Sequence, residues 1–260
     1  MLVQDVLEAL AEAFPLELAE DWDKPGLSVG DPGREVTGIA CALDATPESV
    51  RAARARGCNV LVTHHPAFLE MPFPLTPSIP TSGLAGAVVY EAVRADVALI
   101  AMHTNLDRSP QALELCVTLM RLPYERRLQE PNGYGAVLRA QGTRLGELAD
   151  RCAATFRCAP TVWGDPSREL RQVAFCSGSL GGFGAEALAQ GIDCVVTGEA
   201  GYHRVSELDQ GGVAVILLGH DASELPFAGL LAQTLSSGFE NTRIQVIDEA
   251  PRWQAWCAGK

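Results

Sequence analysis

Apolar runs alternate with helix-start signals along the first half of the chain. Val36 to Leu43 is a β-rich run ending at Asp44, and Thr46, Pro47 and Glu48 follow as a hydroxyl cap, a first-turn proline and an early acid. This predicts a strand and then a helix that ends near Gly57. A second buried strand, Asn59 to Thr63, runs directly into His64 and His65. Prolines at 66, 72, 74, 77 and 80 forbid regular structure from Ala67 to Pro80, so a long loop is expected there. Thr81 to Ala95 reads as a helix, Val97 to Met102 as a strand, and Ser109 with Pro110 opens another helix. The order β-α-β-α-β-α implies largely parallel pairing.

The pattern repeats. Gly57 to Thr63 (GCNVLVT) returns as Gly191 to Thr197 (GIDCVVT) at an offset of 134 residues, and the same offset carries the preceding strand onto Val173 to Cys176 without a gap. Val97 to Asp107 (VALIAMHTNLD) resembles Ala214 to Glu224 (AVILLGHDASE) at an offset of 117. Both of these strands end in a histidine followed four residues later by a carboxylate. Hydrophobic strands look alike by chance, but the shared glycine before the strand and the shared H-x-x-x-[DE] after it favour an internal duplication.

Composition narrows the class. Lys and Arg total 20 against 32 Asp and Glu, and the resulting charge of -12 repels a phosphate backbone, which disfavours non-specific nucleic-acid binding. Cys41, Cys58, Cys176 and Cys194 lie in or beside apolar strand-like runs and no pair has C-x-x-C spacing, so the cysteines read as reduced core residues. Met1 to Phe14 is an acidic amphipathic helix pattern without a basic leader, and no stretch approaches ~18 uninterrupted apolar residues. A cytoplasmic protein with no membrane partner is expected.

Candidate chemistry gathers where strands end. Ligands of open α/β sheets collect beyond the carboxyl ends of the strands. Four of the five histidines, His64, His65, His103 and His220, stand there, and His103 and His220 have acidic companions at Asp107 and Glu224. Imidazole with carboxylate and no thiolate suits zinc, iron or manganese. Each acid also has a plainer role: Asp107 and Glu224 could cap helices, and Asp44 reads as a helix-flanking acid before Thr46. Glu199 and His203, in TGEAGYH, occupy the repeat's counterpart of the histidine pair. They read as ligands, as supports of the ligands or, with His103, as proton carriers, the supporting role being favoured over direct ligation.

Trp22 to Gly30 (WDKPGLSVG), LDAT at 43 to 46, THHP at 63 to 66, HTNLD at 103 to 107, TGE at 197 to 199 with Tyr202 and His203, and GHDASE at 219 to 224 together resemble the NIF-three-like dinuclear metal proteins, often labelled homologues of a type two GTP cyclohydrolase I. The resemblance spans nearly the whole chain. It implies His64, His65, Asp107, His220 and Glu224 as ligands of two divalent ions. It also implies two intertwined, duplicated α/β halves of mostly parallel or mixed sheets with the metal site between them, and a homohexameric ring. The halves are expected at residues 1–128 and 129–260, with about 213–260 packing back on the first. Lys24 and Asp221 depart from the family's usual residues there.

The implied activity is cyclohydrolase-like hydrolysis of a nucleotide or similar small molecule by metal-bound hydroxide, with Arg108 and Arg204 as substrate-side cations. The group Arg51, Arg54 and Arg56 is a further source of positive charge. The competing expectation is a non-catalytic protein that stores, delivers or senses metal, or that uses metal in protein interaction.

Overall fold

The computed structural model describes residues 1–247 and 250–252. Among the described residues, contacts divide the chain into two compact units, 1–109 with 226–247, and 110–225 with 250–252. The division falls at 109/110 instead of 128/129 because helix 110–120 packs on strand 136–144 and helix 145–156.

The first unit runs α1 (Val3–Ala13), β1 (Gly26–Val29), β2 (Ile39–Ala42), α2 (Pro47–Ala55), β3 (Val60–Thr63), α3 (Ile79–Ala95), β4 (Ala98–Ala101) and the single turn α4 (Thr104–Asp107). The second continues with α5 (Pro110–Met120), β5 (Tyr124–Arg127), β6 (Ala136–Arg144), α6 (Leu145–Phe156), β7 (Thr161–Trp163), β8 (Glu169–Ser179), α7 (Phe183–Ala189), β9 (Cys194–Glu199), α8 (Tyr202–Gln210), β10 (Ala214–Leu217) and α9 (His220–Glu224). The chain then returns to the first unit as α10 (Pro226–Gly238) and β11 (Ile244–Val246).

The first sheet has the order β1-β4-β3-β2-β11, and the second β5-β6-β8-β9-β10-β7. In the first, β2, β3, β4 and β11 are parallel and β1 is an antiparallel edge. In the second, β8, β9 and β10 are parallel, with β7 antiparallel to β10 at one end and, at the other, β6 antiparallel to β8 and β5 antiparallel to β6. The architecture is α/β with mixed sheets. Strands β1, β4, β3 and β2 therefore match β7, β10, β9 and β8 in order and direction. Ile39 pairs with Val60 and Val173 with Cys194, so the offset of 134 holds for both partners. This supports the duplication. The next pair slips by one: Val60 faces Ala98 while Cys194 faces Ala214. The second copy takes up the difference with an added Gly219 before His220, at φ +97, a backbone region that costs glycine little.

Local chemistry explains the elements. Thr46 caps α2 by accepting from the Ser49 N–H at 3.0 Å, as its position before Pro47 predicts. On β8 and β9 successive side chains enter opposite cores: Val173, Phe175, Cys194 and Val196 one, Ala174, Cys176 and Val195 the other. Both faces are covered, so these strands lack the polar alternation of a half-exposed sheet. In the first unit Ala40, Leu61 and Leu99 join Val50, Ala53, Val88 and Ala92 from α2 and α3. Residues 66–78 hold neither helix nor strand, as the prolines require, and α3 begins at Ile79 with a break at Gly83. Among the described residues no helix is long and apolar enough to cross a membrane.

Candidate metal centre

In the first unit, β2 and β3 keep their parallel ladder for two residues beyond the strands. The His64 N–H donates to the Ala42 carbonyl at 3.3 Å and the His65 N–H to the Leu43 carbonyl at 3.0 Å. The two rings are thereby fixed at the sheet's carboxyl edge, their centroids 5.0 Å apart. His64 is fully buried and packs on Phe227 of α10.

The segment HTNLD is a fitted turn. The Asn105 amide donates to the Phe14 carbonyl at 2.7 Å, and its Oδ1 accepts from the His103 N–H at 3.0 Å. This holds α4 so that Asp107 reaches back, with Oδ1 3.7 Å from His64 Nε2. That is long for a hydrogen bond but close to the ~3.4 Å between two ligands about 2.1 Å from one tetrahedral ion. Ring nitrogens of His64, His65 and His103 lie within 4.8 Å of one another.

The state of the imidazoles can be argued from their partners. His64 Nδ1 lies 3.0 Å from the Met102 carbonyl. A carbonyl only accepts, so Nδ1 carries a proton and Nε2 is the ring nitrogen left for a metal. His65 Nδ1 is 2.8 Å from Asp44 Oδ1, and His103 Nδ1 is 2.9 Å from Asp23 Oδ1. In the second unit His220 Nδ1 is 3.0 Å from Glu199 Oε1, while its Nε2 is 3.1 Å from Glu224 Oε2. All four strand-end histidines thus place Nδ1 on an oxygen, the arrangement that orients metal-bound imidazoles. The donor set fits a divalent cation.

Helix α9 holds the second unit's pair. Ser223 Oγ donates to the His220 carbonyl at 2.7 Å and accepts from the Gly178 N–H at 2.9 Å. Glu224 is buried, one turn from His220. Glu199 Oε1 is the partner of His220 Nδ1. His203 is exposed on α8, its ring edge-on to Tyr202. Arg108 donates to the Leu18 carbonyl at 2.8 Å, and Arg204 pairs with Glu207 at 2.6 Å. Arg51 pairs with Glu48 at 3.1 Å.

Two functional residues escape sequence reasoning. Asp44 flanks α2 as expected, but its carboxylate is on His65, so the plain helix-flanking role is incomplete. Asp23 lies within the WDKPGLSVG motif, but nothing local marks it as the partner of His103, 80 residues away. It is buried and also accepts from the Thr104 N–H at 3.0 Å, the Thr104 hydroxyl at 2.5 Å and the Lys24 N–H at 2.8 Å. Burial alone would push its carboxyl up, but the His103 and Thr104 hydrogen bonds outweigh that and hold it far below the usual carboxylate range. A depressed folded-state pKa stabilises above the unfolded value near 3.9 and loses that contribution as pH falls through the folded one. Asp23→Asn is therefore expected to cost about 3 kcal/mol at pH 7 and progressively less from about pH 4 downwards. Chemical denaturation at pH 7 and pH 2.5 checks this; a gap that is unchanged or wider at the lower pH contradicts it.

Residues 1–251 match the family model described as Duf34/NIF3 (NGG1p interacting factor 3). A Streptomyces coelicolor protein named GTP cyclohydrolase 1 type 2 homolog is 32% identical, the match covering 90% of this chain and 85% of that one. A Clostridium acetobutylicum protein of the same name is 29% identical over 93% and 92%. Among solved structures, a Bacillus cereus protein related to NIF3 superposes with a TM-score of 0.88 at 16% identity, covering 99% of both chains. A Staphylococcus aureus protein gives 0.86 at 23%, covering 98% of this chain and 99% of that one. At such identities the structural likeness is one of fold. The family model, matched over nearly the whole length, and the Streptomyces relative together establish that this chain belongs to the Duf34/NIF3 family.

Proposed function

We propose that the chain holds two divalent ions, of zinc, iron or manganese, through His64, His65 and Asp107 of the first unit and His220 and Glu224 of the second. We further propose that it uses them to hydrolyse a nucleotide or similar small molecule. The observation that supports this reading is the common orientation of the strand-end imidazoles, each with Nδ1 on an oxygen, which leaves Nε2 as the remaining ring nitrogen. When bound, such ions supply Lewis acidity and lower the pKa of a water from about 16 towards about 7.

The chain's own residues complete the chemistry. Asp107 and Glu224 would bring negative charge to offset the cations. Asp44 and Glu199 fix the rings of His65 and His220. His103, oriented by Asp23 beside His64 and His65, can hold or pass a proton at Nε2; His203 is a second candidate for that role. Arg108 and Arg204 are the proposed substrate-side cations. A thiol nucleophile is disfavoured: burial pushes Cys41, Cys152 and Cys176 up to about 12. Exposed Met71 and Phe73 in the proline-rich segment, 77% and 93% accessible, support the homohexamer as a surface that a second copy would cover.

Metal analysis of the purified chain, combined with hydrolysis assays on nucleotides and phosphoesters with and without chelator, tests the proposal. About two ions per chain and chelator-sensitive turnover are expected. Metal without turnover would leave a storage or delivery protein, and turnover that survives complete metal removal would overturn the mechanism.

A further inference from the structure

A cavity of about 400 Å³ lies within the second unit where β9 begins, against β5, β6 and β8. Asp193, in its wall, immediately precedes β9 and Glu199 ends that strand, so the cavity stands a strand's length, roughly 20 Å, from Glu199. None of the proposed metal ligands lines it. The volume is within the range that encloses a small organic ligand.

Polar side chains line this cavity, and their bonds show which of them are already engaged. Asp193 is buried. Its Oδ2 accepts from the N–H groups of Arg171 and Gln172, each at 2.9 Å, and its Oδ1 faces the guanidiniums of Arg171 at 3.2 Å and Arg168 at 3.6 Å. Burial alone would push its carboxyl up, but those bonds outweigh it and hold the group below its ordinary range. Glu125 Oε1 accepts from the Gln172 amide at 2.8 Å. The acceptors are thus engaged within the protein, and the donors are not. Arg139, paired across the strands with Gln172, and Gln141, two residues along β6, make no side-chain hydrogen bond or ion pair among the described residues. Arg171 commits one nitrogen to Asp193 and is 76% exposed. Three arginines against two carboxylates leave a local excess of positive charge in a chain whose net charge is -12.

A ligand that matches unengaged donors must accept hydrogen bonds. One guanidinium fork satisfies a planar carboxylate, whereas two guanidiniums with an amide beside them suit the several oxygens of a phosphoryl group. We infer that this cavity binds the phosphoryl group of a small phosphate ester, held by Arg139 and Arg171 with Gln141 as a further donor, and that the organic part of the ester occupies the rest of the volume. This goes beyond the metal proposal and does not rest on it, because every residue involved is outside the proposed ligand set and the cavity belongs to one unit.

Phenyl phosphate, inorganic phosphate and benzoate are suitable probes: the first two separate an ester from the free ion, and the third tests for a carboxylate. The full chain, dialysed against chelator, is titrated calorimetrically with each. Phenyl phosphate is expected to bind at least about threefold more tightly than inorganic phosphate and at least about tenfold more tightly than benzoate. Arg139→Gln should weaken phenyl phosphate by at least about tenfold, and Glu125→Gln, which removes a negative charge from the same wall, should tighten it by about threefold. Arg34→Gln, in the first unit, is the control and should change neither. Arg139 is exposed, so its replacement should leave the fold intact; if circular dichroism shows otherwise, Arg171→Lys, which keeps the charge and loses the fork, should weaken phenyl phosphate by about fivefold. Unchanged affinity in a folded Arg139→Gln or Arg171→Lys, benzoate or inorganic phosphate binding as tightly as phenyl phosphate, or no phenyl phosphate binding at about 10 mM each overturns the inference. Metal content measured before dialysis keeps the two readings separate. A chain that holds no metal yet binds phenyl phosphate fails the metal proposal alone, and one that holds metal but, once stripped, binds no phenyl phosphate fails this inference alone.

Discussion

His64→Ala is expected to reduce bound metal from about two ions per chain to fewer than one, and to weaken any residual ion by at least about a hundredfold. His64 is fully buried, offers Nε2 3.7 Å from Asp107 Oδ1, and is held by the Met102 carbonyl behind it. Alanine removes the donor, the packing on Phe227 and the partner of that carbonyl at once. The apo chain should also lose about 2–4 kcal/mol. His203→Ala, at an exposed position on α8, is the control and should leave metal content unchanged. Elemental analysis and competitive chelator titration of both variants provide the check. Two ions retained in His64→Ala would remove the ligand assignment.

Gly198→Ala should strongly damage the second unit. A Cβ there would stand 2.5 Å from the Gly178 carbonyl oxygen, 2.6 Å from Ser223 Oγ and 2.9 Å from His220 Cα. Two of the three obstacles are backbone and cannot rotate away. Either β9 or the start of α9 must move, and with α9 go His220 and Glu224. A loss of about 3 kcal/mol is expected, with weakened metal binding as a second effect. Gly201→Ala, where a Cβ meets nothing within 4 Å, should be near neutral by the same thermal and denaturant measurements. Equal stability of the two variants would show that this part of the site is softer than its packing implies.

The difference between what could and could not be read from the sequence follows range in the chain. Strands β2, β3 and β4 were legible because each is a short apolar run with a start or stop signal beside it, and α2 because Thr46 and Pro47 mark its first turn. The strand-end histidines were legible for the same reason, since position after a strand is local information. The antiparallel edges β1 and β7 were not: Gly26–Val29 and Thr161–Trp163 are too short for alternation to register, and their pairing with β4 and β10 is long-range. The acids behind the histidines were the least legible. Asp44 has a sufficient local role that hides its second one, and Asp23 meets His103 only after the sheet has formed. The one-residue slip at Gly219 shows why the repeat's second offset was 117 while its strand pairing runs at 116.

The discontinuity of the first unit bears on how the chain matures during synthesis. All six strands of the second sheet lie between Tyr124 and Leu217, so that sheet can close as soon as this stretch has emerged. The first sheet starts earlier and finishes later. Its β2 edge gains a parallel neighbour only when Ile244–Val246 arrives, and α10, which packs on β2, β3 and α1, comes just before. Until then β2 presents an open row of backbone donors and acceptors on a wholly apolar strand, the kind of edge that recruits foreign strands. The first half of the protein to leave the ribosome is thus the last to be sealed, and the final twenty or so described residues act as its clasp.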